Sequence, residues 1–294
     1  MNFTNLPGVS LGSSVLITGG TGFFGRGFAR RLLDAGVPRV CIFSRDEFKQ
    51  HQMRQEFAGE DRIRFFIGDV RDVERLRRAM DGCDVVVHAA ALKRVEVGEY
   101  DPGEMVKTNV DGARNVIEAA FDCRVEKVVA LSTDKAFEPV NAYGASKLLA
   151  EKLFLGANNA RGAHGPRFAV TRYGNVAGST GSVIPVWRSL MATGQVVRIR
   201  DSRATRFWMT LDQACQLVAD TIQTMQGGEL RVPDLPAYEL RSLAEAMDVY
   251  RNAWIAGDGL GPGEKLHEGM APGKTSDKAR RMSVDELREA LDHV

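Results

Sequence analysis

Ser14-Val-Leu-Ile-Thr18 runs without a break into Gly19-Gly-Thr-Gly22-Phe-Phe-Gly25. The first five residues form a short apolar run, the pattern of a buried strand. Glycines follow at every third position, and then a helical run from Phe28 to Ala35 that ends at Gly36. Strand, glycine turn and helix in that order are the context of a dinucleotide-binding turn. Glycine lets the backbone turn tightly and approach a pyrophosphate. The helix start then offers free N–H groups and the positive end of its dipole to the anion.

The same alternation continues outward. Val40-Cys-Ile-Phe43 reads as a second strand, with Asp46 as N-cap of a helix reaching about Phe57. Ile63-Arg-Phe-Phe-Ile67 is a third strand, closed by Gly68-Asp69, and a helix follows from Asp72 to Met80. Asp84-Val-Val-Val-His88 is a fourth strand, followed by Ala89, Ala90 and Ala91. One helix is expected from about Gly103 to Phe121, then a fifth strand at Lys127-Val-Val-Ala-Leu131. A sixth, from Phe168 to Arg172, follows a helix that opens at Tyr143. This spacing predicts βαβ units and a parallel sheet covered on both faces.

The alternation fades after about Asn175 into short segments rich in glycine, proline and arginine. Helices are expected from Leu211 to Met225, Leu240 to Tyr250 and Val284 to His293, and Met1 to Gly12 reads as an irregular lead-in. The expected fold class is α/β: a Rossmann-type doubly wound parallel sheet with a smaller C-terminal substrate-binding domain. Residues 12–175 and 208–232 would form the first domain, and 176–207 and 233–294 the second.

Composition narrows the classes of function. The chain has 294 residues, enough for one large domain and a smaller one. A net charge of +1, with arginines scattered, points to neither a nucleic-acid nor an acidic-membrane partner. No signal-peptide pattern and no membrane-length apolar run is read, so a cytoplasmic location is expected. Cys41, Cys83, Cys123 and Cys215 form no C-x-x-C pair and read as reduced structural thiols. The five histidines lack metal-ligand spacing, so no metal is expected.

The densest chemistry lies from Ala130 to Lys147. Polar Ser132, Thr133, Asp134 and Lys135 follow the fifth strand, and a turn with Glu138, Pro139 and Asn141 comes next. Tyr143 and Lys147 stand four apart at a helix start and share a face. An ammonium beside a phenol favours phenolate, a way to run base chemistry near neutral pH. On its own this spacing is weak, and a surface tyrosine with a solvated lysine is the plain alternative. The second strand ends Phe43-Ser44-Arg45, which suits the 2′-phosphate of NADP, with Ser44, Arg45 and Lys49 around it. Asp69 is placed to reach the adenine edge, and Ala89 to Ala91 leave room for the cofactor across the fourth strand.

With the glycine turn, these residues make the chain resemble the extended short-chain dehydrogenase/reductases, in which the G-x-x-G-x-x-G spacing is typical. More finely, it resembles the inverting UDP-N-acetylglucosamine 4,6-dehydratases of polysaccharide biosynthesis. The resemblance covers nearly the whole chain. It is carried by Phe43-Ser-Arg-Asp46, His88-Ala-Ala-Ala-Leu-Lys93, Lys107-Thr-Asn109, Ala130-Leu-Ser-Thr-Asp-Lys135 and Asn141-Ala-Tyr-Gly-Ala-Ser-Lys147. Arg172-Tyr-Gly-Asn-Val176, Gly181-Ser-Val183, Thr205-Arg-Phe-Trp208 and Pro262-Gly-Glu-Lys-Leu-His-Glu268 carry it further.

The resemblance implies an NADP-dependent dehydration of UDP-GlcNAc or a close relative, in a homo-oligomer. Tyr143 would deprotonate the 4-hydroxyl, and Lys147 would lower the tyrosine pKa and hold the nicotinamide ribose. Asp134 would be the acid and Lys135 the C5 base of the elimination, and Thr133 would orient the substrate. A lysine base needs a lowered pKa, expected here from burial and the charge of Lys147. Thr21, Phe23, Phe24, Val70 and Lys93 would join the glycines at the cofactor. Lys93, Thr133, Asn175, Val183, Arg206 and Glu264 would hold the nucleotide sugar. Two departures stand out: Gly261 occupies the place of an arginine that the family uses at the pyrophosphate, and the C-terminal region is shorter than usual. The alternatives are a UDP-sugar 4-epimerase, a dehydratase that stops at an alkene, and a non-catalytic NADP-sensing protein, which would need neither Tyr143 nor Lys147.

Overall fold

The computed structural model describes residues 14–249, 253–255, 259–261 and 263–294. Met1 to Gly12, Tyr250 and Pro262, which figure in the expectations above, lie outside them. Strands and helices alternate through the first half: β1 (Ser14–Thr18), α1 (Phe23–Asp34), β2 (Arg39–Ser44), α2 (Glu47–Glu56), β3 (Ile63–Ile67), α3 (Val73–Met80) and β4 (Val85–His88). Then come α4 (Val95–Tyr100), α5 (Pro102–Val106), a π-helical turn at Lys107–Asp111, α6 (Gly112–Asp122), β5 (Lys127–Thr133), α7 (Ala142–Ala157) and β6 (Arg167–Tyr173). The remainder is α8 (Val183–Ala192), β7 (Val197–Ile199), β8 (Thr205–Phe207), α9 (Leu211–Thr224), β9 (Leu230–Arg231), β10 (Ala237–Glu239), α10 (Leu240–Ala246), β11 (Ala253–Ile255), β12 (Gly269–Ala271), β13 (Lys274–Thr275) and α11 (Val284–Leu291).

The main sheet has the order β3-β2-β1-β4-β5-β6-β9, and every pairing in it is parallel. Its strands are apolar on both faces because both faces are covered. Val15, Ile17, Val40 and Ile42 point to one side, where Phe28 and Leu32 of α1 and Val218 and Ile222 of α9 meet them. Leu16, Cys41 and Phe43 point to the other, against Leu76 of α3, Val116 of α6 and Phe154 of α7. That alternation is the period-two geometry of a strand. A third core gathers Ile184 and Trp187 of α8, Val197, Ile199, Trp208, Tyr238, and Leu287 of α11. The order of the strands reverses at β1 and β4, and crevices at such a switch point, beyond the strand C-termini, are where ligands bind.

Three expectations need correction. Helix α1 begins at Phe23 and not at Phe28, because the glycine turn opens straight into it. The helix expected from Gly103 to Phe121 is present, running from Pro102 to Asp122 with one π-helical turn inside it at Lys107–Asp111. Asp101 caps α5 and Pro102 is its first residue, a proline being suited to that position. The chain then passes through the π-turn before α6. Helix α8 was read as irregular, and α10 ends at Ala246.

Candidate active site

The glycine turn lies where β1 and β4 part. Gly19 has φ +65°, and a Cβ there would stand 2.8 Å from the Ala90 backbone, so the turn and the segment after β4 approach as closely as only glycine allows. Gly22 caps α1 with no side-chain bond, so the first-turn N–H groups remain free for an anion. Gly25 is buried against Gly20, and Phe23 and Phe24 flank it, partly buried. This cradle fits a dinucleotide pyrophosphate.

At the end of β2 the Ser44 hydroxyl bonds that of Thr21 at 2.8 Å. Arg45 is exposed, with Nη1 3.7 Å from Asp69 Oδ2, and Lys49 pairs with Asp46 at 3.2 Å. Asp46 caps α2 by accepting the Lys49 N–H, as read from the sequence. Asp69 is shared with Arg71 at 2.8 Å, and buried Val70 packs beside Gly112. Ala89, Ala90 and Ala91 line the gap after β4. Lys93 reaches across it to Thr180 O at 3.0 Å, tying this segment to the loop before α8.

The catalytic candidates come from the end of β5 and the start of α7. Thr133 donates to Asp134 Oδ1 at 2.9 Å and accepts the Lys135 N–H at 3.3 Å, which turns the chain at the strand end. Asp134 is fully buried, and its Oδ2 has no hydrogen-bond partner. Asn141 caps α7 by accepting the Gly144 N–H at 2.7 Å. A Cβ on Gly144 would overlap the Lys135 carbonyl oxygen and lie 3.1 Å from Pro139 Cβ, so a glycine lets the helix press against the turn. Tyr143 is thereby set beside Thr133, Asp134 and Lys135. Buried Asn109 braces the arrangement, bonding Leu92 through both its amide atoms and donating to Ser146 of α7 at 2.9 Å.

Lys135 differs from its expected setting. Its Nζ lies 3.2 Å from Asp134 Oδ1 and 3.2 Å from Glu268 Oε1. Burial would lower its pKa, but the two carboxylates outweigh burial and hold it raised. The expected lowering by Lys147 is absent because the Lys147 ammonium is elsewhere, donating to Leu131 O at 2.7 Å. Burial lowers Lys147 to about 8, opposed by Glu151. Tyr143 is pushed up to about 12 by burial, and the Lys135 charge and the Thr133 hydroxyl draw it back. The cation acting on the phenol is therefore Lys135.

The substrate candidates are spread more widely. Arg206 donates to Thr205 O at 2.8 Å and to Leu266 O at 3.2 Å, and its Nε stands 4.0 Å from Glu268 Oε1, so it braces Glu268. Asn175 is exposed just beyond β6, and Val183 opens α8 half-buried. Glu264 sits apart from the catalytic group, accepting the Gly261 N–H at 2.8 Å. Sequence reasoning missed Glu268 as a site residue, although its motif was quoted. A buried glutamate, 2% exposed with Oε2 unpartnered, is visible only in the fold. Among the described residues no cluster of His, Cys, Asp and Glu could hold a metal ion, and no helix is long and apolar enough to cross a membrane.

Residues 15–287 match the family described as polysaccharide biosynthesis protein. The UDP-N-acetylglucosamine 4,6-dehydratase (inverting) of Campylobacter jejuni subsp. jejuni serotype O:23/36 is 49% identical over 261 residues, 88% of this chain and 77% of that protein. The UDP-glucose 4-epimerase of Rickettsia conorii is 40% identical over 282 residues, 94% and 81% of the two chains. The solved structure of Pen from Bacillus thuringiensis superposes with a TM-score of 0.90 at 36% identity, covering 96% of this chain and 97% of Pen.

Proposed function

Because the chain belongs to the polysaccharide biosynthesis protein family of extended short-chain dehydrogenase/reductases, we propose that it dehydrates UDP-GlcNAc to the UDP-4-keto-6-deoxy-N-acetylhexosamine, with inversion at C5 and NADP as cofactor. The observation that carries this reading is Lys135 Nζ held 3.2 Å from both Asp134 and Glu268, beside Tyr143. A 4-epimerase needs Tyr143, Lys147 and Thr133 but has no use for that array. The dehydratase is also the more similar of the two curated relatives.

The first turn of α1, with Gly19, Gly22 and Gly25, would hold the dinucleotide's pyrophosphate, and exposed Arg45 and Lys49 would hold the 2′-phosphate. Exposed Arg45 is held at 3.7 Å by Asp69, which Arg71 also holds, and exposed Lys49 by exposed Asp46, weak pairs that a phosphate can displace. When bound, the dinucleotide supplies a hydride acceptor at C4 and a hydride donor at C6. Tyr143, as phenolate, takes the 4-hydroxyl proton, with Lys135 and Thr133 easing its ionisation.

The resulting 4-ketone acidifies the C5 proton. Elimination then needs a base at C5 and an acid at the 6-hydroxyl together. One proton transfer inside the ion pair, from Lys135 Nζ to Asp134, arms both: a neutral amine and a carboxylic acid. Transfer inside the pair moves no proton to solvent and leaves its net charge unchanged, but it works against the hold of the two carboxylates on the ammonium. The amine takes the C5 proton, and the acid protonates the departing 6-hydroxyl, which leaves as water. This restores ammonium and carboxylate. Inversion would follow when the proton that Tyr143 took from the 4-hydroxyl is returned to C5 on the face opposite Lys135, which restores the phenolate as hydride reaches C6.

The test is the Lys135→Ala enzyme with UDP-GlcNAc. Like the wild-type enzyme it should bind NADP, more tightly than NAD on this reading, yet release no product lighter by the mass of water. Normal formation of the 4-keto-6-deoxy sugar would overturn the role of Lys135. A wild-type product of unchanged mass would select the epimerase instead.

A further inference from the structure

Glu268 immediately precedes β12 and Ser276 immediately follows β13, so the two face each other at the open end of a hairpin. Ser276 grips Glu268 on both sides of its Cα. Its N–H donates to Glu268 O at 2.8 Å, and its Oγ accepts the Glu268 N–H at 2.9 Å. The serine is fully buried, and its hydroxyl is held in turn by Thr205 of β8. Ser276 Oγ stands 2.6 Å from Thr205 Oγ1 and 3.2 Å from Thr205 O. Thr205 Oγ1 also bonds His267 Nδ1 at 2.9 Å, and the Thr205 N–H donates to Leu266 O at 2.9 Å. Strand β8 thus pins both the segment entering the hairpin and the serine leaving it.

The hairpin itself is fixed against the catalytic turn. A Cβ on Gly269 would lie 2.7 Å from the ring of Phe137, and Arg172, in its buried pair with Glu151, donates to Met270 O at 2.7 Å. The Glu268 carboxylate is held differently. Its Oε1 lies 3.2 Å from Lys135 Nζ and 4.0 Å from Arg206 Nε, and Oε2 has no hydrogen-bond partner among the described residues. No described group of the hairpin bonds that carboxylate, so its place beside the ammonium follows from the placement of its own backbone. A glutamate side chain has several rotamers open to it, and a small shift of its Cα moves the carboxylate off that point. The Ser276 hydroxyl opposes such a shift. Without it the Glu268 N–H is left buried and unpaired, which the backbone relieves by moving.

We propose that Ser276 is a positioning residue: its hydroxyl, seated on Thr205, sets the Glu268 carboxylate against Lys135 and so governs the step at C5. The proposal rests on the dehydratase reading above. The charged groups facing the Lys135 ammonium are Asp134, Glu268 and Arg206, with the Tyr143 phenol beside them. Of these, Glu268 is the one carried by the hairpin.

Solvent deuterium exchange at C5, followed in a single turnover with UDP-GlcNAc, tests this. In Ser276→Ala the carboxylate withdraws and the lysine loses one of its two negative neighbours. Exchange should then quicken about tenfold, the effect of one unit in the lysine pKa. Thr205→Val keeps the side-chain shape but removes the hydroxyl that bonds Ser276, and should act in the same direction. Thr205→Ser, which restores that hydroxyl, should bring the wild-type rate back. Damage to the fold would slow the step and not quicken it. In the double variant Ser276→Ala/Glu268→Gln, exchange should equal that of Glu268→Gln alone, because both changes act through one carboxylate. Exchange unchanged or slowed in both Ser276→Ala and Thr205→Val, or effects that add in the double variant, would overturn the assignment. A wild-type product of unchanged mass would instead sink the dehydratase reading. The crystal structure of Ser276→Ala then still decides the positioning: Glu268 Oε1 drawn away from Lys135 Nζ supports it, and Oε1 left in place overturns it.

Discussion

Lys135 sits between two buried carboxylates, and this bears directly on how the enzyme should respond to pH. Glu268 Oε1 holds the ammonium at 3.2 Å, as the acid candidate Asp134 does. Glu268→Gln removes one of the two negative charges that raise the Lys135 pKa, so the lysine should lose its proton more readily. Because that proton passes inside the pair to Asp134, the acid limb of kcat should keep its wild-type position, whereas solvent deuterium exchange at C5, which reports this step separately from oxidation at C4, should quicken. An exchange rate at the wild-type value would show that Glu268 does not govern Lys135. The sequence could display Tyr143, Lys147, Asp134 and Lys135, because they are neighbours in one stretch. It could not pair Lys135 with Glu268, which a long stretch of chain separates from it.

Helix α7 joins the chemistry to the rim. Tyr143, Lys147 and Glu151 recur every four residues along it, and Glu151 forms a buried ion pair with Arg172 of β6. Its cap, Asn141, accepts from Gly144 and donates to Gly263. Asn141→Ala should lose about 1 kcal/mol through the cap. Asn141→Asp keeps the acceptor and loses the donor to the rim segment. Its melting temperature should stay near that of wild type while kcat/KM falls, and an unchanged kcat/KM would show that this tie does not position the rim. A capping signal of this kind was legible at Asp46. The π-turn at Lys107–Asp111 was not, because Asn109 turns its side chain to Leu92 and Ser146, which lie elsewhere in the sequence.

Across the whole molecule the two faces of the sheet carry separate cores, and His88 lies fully enclosed in one of them, bonded through Nδ1 to Thr18 at 2.8 Å. Burial, aided by the Lys147 charge, lowers its pKa from 6.5 to about 3. The unfolded chain takes up a proton below pH 6.5 that the folded chain refuses. The contribution of His88 is therefore intact above 6.5 and is lost as pH falls toward 3, by a few kcal/mol in all. His88→Asn should flatten the fall of melting temperature over that window. A variant that falls as steeply would assign the slope to other groups.

The sequence alone determined the sheet and its glycine turn. Five- to seven-residue apolar strands and the helices between them are local patterns, and a sheet covered on both faces leaves strong ones. It also displayed Ala130 to Lys147 as the chemical centre, since those side chains come from a single strand end and helix start. Only the tertiary structure decided what surrounds them. Strands β7, β8 and β10 have three residues each, too few for periodicity, and they pair across distance with partners that no local pattern names. The same holds for charge. Whether Lys135 is pushed down by Lys147 or held up by Glu268 depends on approach in space, which a spacing along the chain does not contain.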